Sequence, residues 1–301
     1  MADASVSDNP AARLDRATNS PGQSLESQEN QGFLEQGPWL VSQWPECGEA
    51  SISWCVPSER DEALPAAGEG VDPERARAEA ARRAAATIRR YATANGCDRL
   101  WSLTYGDEFV PESLGDVWQR DAERFRERLY VIEGERFPVV LVPERGGKSG
   151  RPHLHMLTNR FVRKEHVERA WESKGFVDGR RITAWREVEN GRVVNTKRMG
   201  RKARCRAAAA YLAGYVKKGF VADHEFARHR YSTTRGFGPV SRQARFLRMN
   251  AARTWCSLTM DGDLVSWWRS STCEGWELPP VEVLLYEDRE RCQEDLTVNV
   301  P

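Results

Sequence analysis

Two short apolar runs around a glycine-rich turn constrain this chain most. Residues 137–144 read FPVVLVPE and residues 151–158 read RPHLHMLT, with RGGKSG between them. Runs of this length bounded by Gly and Ser are strands. Strands joined by so short a connection pair antiparallel, because a parallel crossover needs a dozen residues or more. An antiparallel hairpin is therefore expected near the middle of the chain.

The flanking segments extend it. RLWSLTYG (99–106) alternates like a half-buried strand. Asp72-Pro73 is an N-cap followed by proline in the first helical turn, and the Ala- and Arg-rich run behind it stops at Gly96. DVWQRDAERFRERLYVIE (116–133) reads as an amphipathic helix, RKEHVERAWESKG (163–175) as a short helix, and RRITAWREV (180–188) as a strand. RKARCRAAAAYLAGYVKKG (201–219) is helical. The order strand, helix, hairpin, helix, strand, helix predicts an α+β fold, a central antiparallel sheet with helices packed on it.

Charge divides the chain in three. Residues 145–253 hold 27 Lys and Arg against 8 Asp and Glu, although the whole chain is balanced at +1. Residues 1–70 carry an acidic excess of about 9 and residues 254–301 one of about 7. A basic middle on this scale predicts a surface for a polyanion. Residues 1–70 are rich in Ser, Gln, Asn, Glu, Gly and Pro, and they read as a disordered acidic extension in which only Trp39, Trp44 and Trp54 could dock locally. The expected division is thus an extension over 1–70, a main domain over 71–253, and an acidic C-terminal extension over 254–301.

No run approaches the roughly 18 apolar residues of a membrane span, and the N-terminus lacks the pattern of a secretory signal. A cytoplasmic protein is expected. The seven cysteines are scattered and form no CxxC, so neither a disulfide framework nor a zinc ribbon is predicted. Arg145-Gly146-Gly147-Lys148-Ser149 looks like the end of a phosphate-binding loop, but Val142 stands where that loop needs its first glycine. No ATPase or helicase activity is predicted.

Two constellations carry chemistry. In a strand, His153 and His155 project to one face and Leu154 to the other. If the hairpin forms, Glu144 returns beside them. Two imidazoles and a carboxylate leave positions open on an ion, and nitrogen and oxygen donors without thiolate suit Mg²⁺ or Mn²⁺. By itself HxH also fits two histidines on a wet surface. The second constellation is Tyr211-Leu-Ala-Gly-Tyr215-Val-Lys-Lys218. Residues four apart share a helix face, so both phenols project together, with Lys218 close to the same face. Core packing is the simpler reading of that pair taken alone. A phenol needs a nearby cation before it is a useful nucleophile at neutral pH.

Taken in order, these segments resemble the HUH endonucleases, in particular the rolling-circle replication initiators of small phages and plasmids. Trp101-Ser102-Leu103-Thr104-Tyr105 is similar to their first motif, a hydrophobic strand ending in Leu-Thr. His153-Leu154-His155 matches the second, with Glu144 where many members place a glutamate. Tyr211, Tyr215 and Lys218 resemble the two-tyrosine form of the third, and RHRYSTTRGF (228–237) looks like a segment that often follows it. Gly214 stands where two-tyrosine relatives often carry lysine, so the resemblance carries Tyr215 further than Tyr211. A plasmid relaxase or transposase is the neighbouring reading, but a relaxase usually adds a third histidine where this chain has Leu157.

The resemblance implies a metal-dependent nuclease that nicks and joins single-stranded DNA at a replication origin through a 5′-phosphotyrosine link. Tyr215 would attack first and Tyr211 in a second transfer. Lys218 would steady the phosphate, and His153, His155 and Glu144 would hold the ion. Host helicase and polymerase would be partners, with no membrane. A non-catalytic nucleic-acid-binding protein is the alternative of a different class.

Overall fold

The computed structural model describes residues 36–55, 72–110, 114–146, 150–172, 174–182, 184–189, 192–222, 230–273 and 279–288. Strands β1 (Gln36–Trp44) and β2 (Glu49–Trp54) precede helix α1 (Pro73–Asn95) and strand β3 (Arg99–Tyr105). Helix α2 (Leu114–Glu133) leads to the hairpin β4 (Val139–Arg145) and β5 (Pro152–Thr158). Helix α3 (Lys164–Ala170) is followed by β6 (Gly175–Arg181), β7 (Ala184–Glu189), β8 (Arg192–Arg198) and helix α4 (Arg201–Ala222). Then come β9 (Ser232–Thr233), β10 (Arg242–Arg248), helix α5 (Met249–Thr259), β11 (Asp263–Arg269) and β12 (Val281–Glu287). None of the described helices is long and apolar enough to cross a membrane. The chain divides into two units, one holding the described residues of 72–240 and the other those of 36–55 and 241–288.

The first unit is the predicted α+β arrangement. Its sheet runs β6-β3-β5-β4-β9 and is antiparallel throughout. Helices cover both faces. On one, Leu103, Leu141, Leu154 and Met156 bury against Trp118, Phe125 and Leu129 of α2 and Val167 of α3. On the other, Leu100, Val140, Val142 and Leu157 bury against Ile88 of α1 and Leu212 of α4. Each such side chain contributes about 1.5–3 kcal/mol. Alanines 84, 92, 208 and 209 in this second cluster let the two long helices lie close together over the sheet. The sequence signals at α1 hold: Asp72 Oδ1 accepts from the Arg75 backbone N–H at 2.9 Å, and Gly96 closes the helix in the left-handed region at φ 72°.

The run 180–188 is not one strand. β6 begins earlier, at Gly175, and ends at Arg181, and β7 pairs with β8 in a separate two-stranded sheet. Asn190-Gly191 lies between those two strands in sequence and is the hairpin signal that marks them. Glycine at 175 has a local reason. A Cβ there would collide with the Thr104 carbonyl oxygen, so only glycine lets β6 start flush against β3.

The second unit overturns the expected boundaries. Its five-stranded sheet runs β10-β1-β2-β12-β11, so residues 36–54 supply two interior strands rather than an extension. Residues 263–287 supply two more, and the expected boundary at 253 falls inside α5. Trp39, Val41, Ile52, Cys256 and Tyr286 form its core, and Trp39 meets Trp54 edge-on at 5.1 Å. The buried Glu282 carboxylate is held by Arg253 at 2.6 and 2.9 Å and by Arg269 at 3.1 Å, as a buried charge requires. Neither end of the chain carries enough apolar surface to fold alone, so composition read each as an extension; each completes the other. The expectation of disorder over 1–35 and 56–70 lies outside the described residues.

A chain starting at Val71 therefore loses the centre of this sheet. Amide exchange should show β10, β11 and β12 unprotected in it while β3, β4 and β5 stay protected. Protection of β12 at the full-length level would contradict the pairing.

Candidate active site

β5 carries His153 and His155 on one face, and Leu154 is fully buried on the other. Register then builds the patch. Thr104 of β3 stands opposite His153, and Ser102 opposite His155. On the other side, Glu144 of β4 stands opposite His153, and Val142 opposite His155. Directly opposed residues share a face. Two hydroxyls, two imidazoles and one carboxylate therefore meet on the face that α4 covers.

The hydrogen bonds are orderly. Thr104 Oγ1 lies 2.9 Å from His153 Nδ1, and Ser102 Oγ lies 3.1 Å from His155 Nδ1. His155 Nε2 lies 2.8 Å from Glu144 Oε2, so the carboxylate reaches diagonally past its direct partner. A hydroxyl can donate or accept, so Ser102 and Thr104 serve either tautomer of their rings. Burial, and then the neighbouring His155, holds the His153 imidazole below its ordinary proton affinity, and Glu144 opposes them.

Helix α4 brings the tyrosines down onto this patch. The Tyr215 ring stacks on His155 with centroids 4.4 Å apart and planes 8° from parallel. Tyr211 stands edge-on to both, 5.0 Å from Tyr215 and 6.1 Å from His155. Arg180 of β6 places its guanidinium over the Tyr211 ring at 5.4 Å. Burial pushes the Tyr215 phenol well up, and the Tyr211 hydroxyl and the Glu144 charge add to the shift; Arg180 works against it. A phenol so placed is a weak nucleophile until positive charge enters beside Glu144.

The structure thus brings together His153, His155, Glu144, Tyr211 and Tyr215. Lys218 lies on α4 one turn beyond Tyr215, but its side chain lies outside the described residues. Among the described residues, no three His, Cys, Asp or Glu side chains stand in the arrangement of a formed metal site. The two imidazole centroids are 6.1 Å apart. Leu157, where a third histidine would stand, is fully buried in the core under α1 and α4. Sequence reasoning missed Ser102, Thr104 and Arg180. The alternation of RLWSLTYG marks the first two, because it sets Ser102 and Thr104 on the face opposite Leu103.

Residues 98–220 match a family model described as a replication-associated protein of the ORF2 type. That is about two fifths of the chain, and it contains every residue of the patch. The comparisons with curated proteins and with solved structures returned no match.

Proposed function

We propose that this chain initiates rolling-circle replication by nicking and rejoining single-stranded DNA through Tyr215. The observation that carries the reading is the Tyr215 ring stacked at 4.4 Å on His155, itself bonded to Glu144 and Ser102. Core packing alone does not require a polar strand face beneath a tyrosine. The similarity to replication-associated proteins over 98–220 supports the same reading.

The donor set fits a divalent ion. Each histidine already gives its Nδ1 to a hydroxyl, which leaves Nε2 as the ligating nitrogen and fixes the ring that carries it. His153, His155 and Glu144 would hold Mg²⁺ or Mn²⁺, which when bound supplies charge to polarise the scissile phosphate. The chain's own residues do the rest. The Tyr215 oxygen forms a bond to phosphorus as the bond to the 3′ oxygen breaks. The phenol's proton balances the departing oxygen, leaving a 5′-phosphotyrosine and a free 3′-hydroxyl. Tyr211, 5.0 Å away, is placed for a second transfer. Arg180 holds positive charge beside both phenols, and Lys218 follows one turn on. A host helicase and polymerase would open and extend the strand.

The test is a labelled single-stranded oligonucleotide library incubated with protein and Mn²⁺. A protein–DNA adduct that survives SDS is the expected result. Binding with no adduct under any metal would leave a non-catalytic nucleic-acid-binding protein instead. Binding itself should fall steeply with salt, because residues 145–253 hold 27 basic against 8 acidic residues. The log–log slope should steepen by roughly 0.7 for each phosphate neutralised. A flat salt response would show that the basic excess does not meet phosphate.

A further inference from the structure

Strand β6 is the edge of the first unit's sheet, and it shares a face with the patch. Register runs Phe176–Thr104–His153–Glu144 in one row and Asp178–Ser102–His155–Val142 in the next. Opposed residues share a face, so Phe176 and Asp178 extend the two rows that hold the histidines. Arg180 extends a third row and reaches Tyr211. At strand spacing, Phe176 stands about 10 Å from His153.

The residues at this edge are unusual. Phe176 is 68% exposed, although its neighbour Val177 is buried in the core. Asp178 is exposed and has no hydrogen-bond or ion-pair partner among the described residues, even though arginines follow it at 180 and 181. An exposed ring beside a polar site suits stacking with a flat group. A free carboxylate in a basic region repels phosphate, so its use is to accept hydrogen bonds from a neutral donor.

We propose that Phe176 and Asp178 form a nucleobase subsite beside the scissile phosphate, in which Phe176 stacks an unpaired base and Asp178 accepts from its exocyclic amine. The inference rests on the reading of the substrate as single-stranded DNA. The base classes with such an amine on the pairing edge are cytosine and adenine; thymine presents a carbonyl there, which the carboxylate repels. Both residues position the substrate and take no part in bond making. Gly175 supports the subsite by holding β6 tight against Thr104, which keeps Phe176 in register with His153.

The experiment measures binding of oligo(dC) and oligo(dT) to the full chain in EDTA by fluorescence anisotropy, so that cleavage plays no part. The wild type should prefer oligo(dC). Phe176→Ala should weaken both by about tenfold, the scale of one lost base stack, and Phe176→Trp should restore both. Asp178→Asn, whose amide also donates, should bring the two oligomers within about twofold of each other. Both side chains are exposed, so the variants should unfold at the wild-type temperature. Unchanged affinity in Phe176→Ala, or an unchanged dC-to-dT ratio in Asp178→Asn, would overturn the subsite. Failure of the nuclease reading looks different: the binding pattern would hold with no adduct formed by the wild type, whereas an adduct with unaltered variants would remove the subsite alone.

Discussion

Tyr215→Phe should give no detectable covalent adduct, a loss of at least about a thousandfold. The substitution removes one oxygen and keeps the ring, so the stack on His155 at 4.4 Å and the packing of α4 survive. Binding of single-stranded DNA and the unfolding temperature should change little. That combination separates a nucleophile from a packing residue, since a packing residue would keep its function when only the hydroxyl goes. Tyr211→Phe is the informative partner. Tyr211 stands edge-on and outside the stacked pair, so its loss should spare the first cut and impair the second transfer. Full adduct yield from Tyr215→Phe with none from Tyr211→Phe would exchange the two roles.

His155→Ala should abolish cleavage and also lower stability. His155 is nearly buried and ties three elements together: Ser102 of β3, Glu144 of β4 and Tyr215 of α4. Its removal strands the Glu144 carboxylate and a hydroxyl, at a cost of about 1–3 kcal/mol for an unpaired buried group. His153 is only half-buried and touches Thr104, so His153→Ala should cost less stability while also losing cleavage. EDTA should stop the wild type, and added Mn²⁺ should rescue it but neither variant. Undiminished cleavage in EDTA would remove the ion from the reading and leave His155 as a support for Tyr215. Calorimetric unfolding alongside the adduct assay distinguishes lost chemistry from lost fold.

Much of the first unit was legible because its signals are local. The α1 caps, the β4–β5 hairpin and the alternation of β3 each depend on residues within a turn or two of one another. The second unit was illegible for the opposite reason. β1 pairs with β10, some 200 residues further along, and β2 with β12. Composition averages over neighbours, so a strand that buries its apolar face against a distant partner looks like a polar tail. Trp39, Trp44 and Trp54 were the one local hint, and two of them do sit in or against that core.

The candidate site divides in the same way. Periodicity alone determined that His153 and His155 share a face, that Leu154 opposes them and that Tyr211 and Tyr215 project together, because spacing of two or four within one element sets direction without any tertiary partner. Only the tertiary structure decided that the two pairs meet. Register across three strands put Ser102, Thr104 and Glu144 around the imidazoles, and the packing of α4 over the same face set Tyr215 on His155. The contacts to β3 and α4 join residues about 50 to 60 positions apart. No local pattern specifies them, because they follow from which apolar faces bury against each other, and that is a property of the whole folded unit.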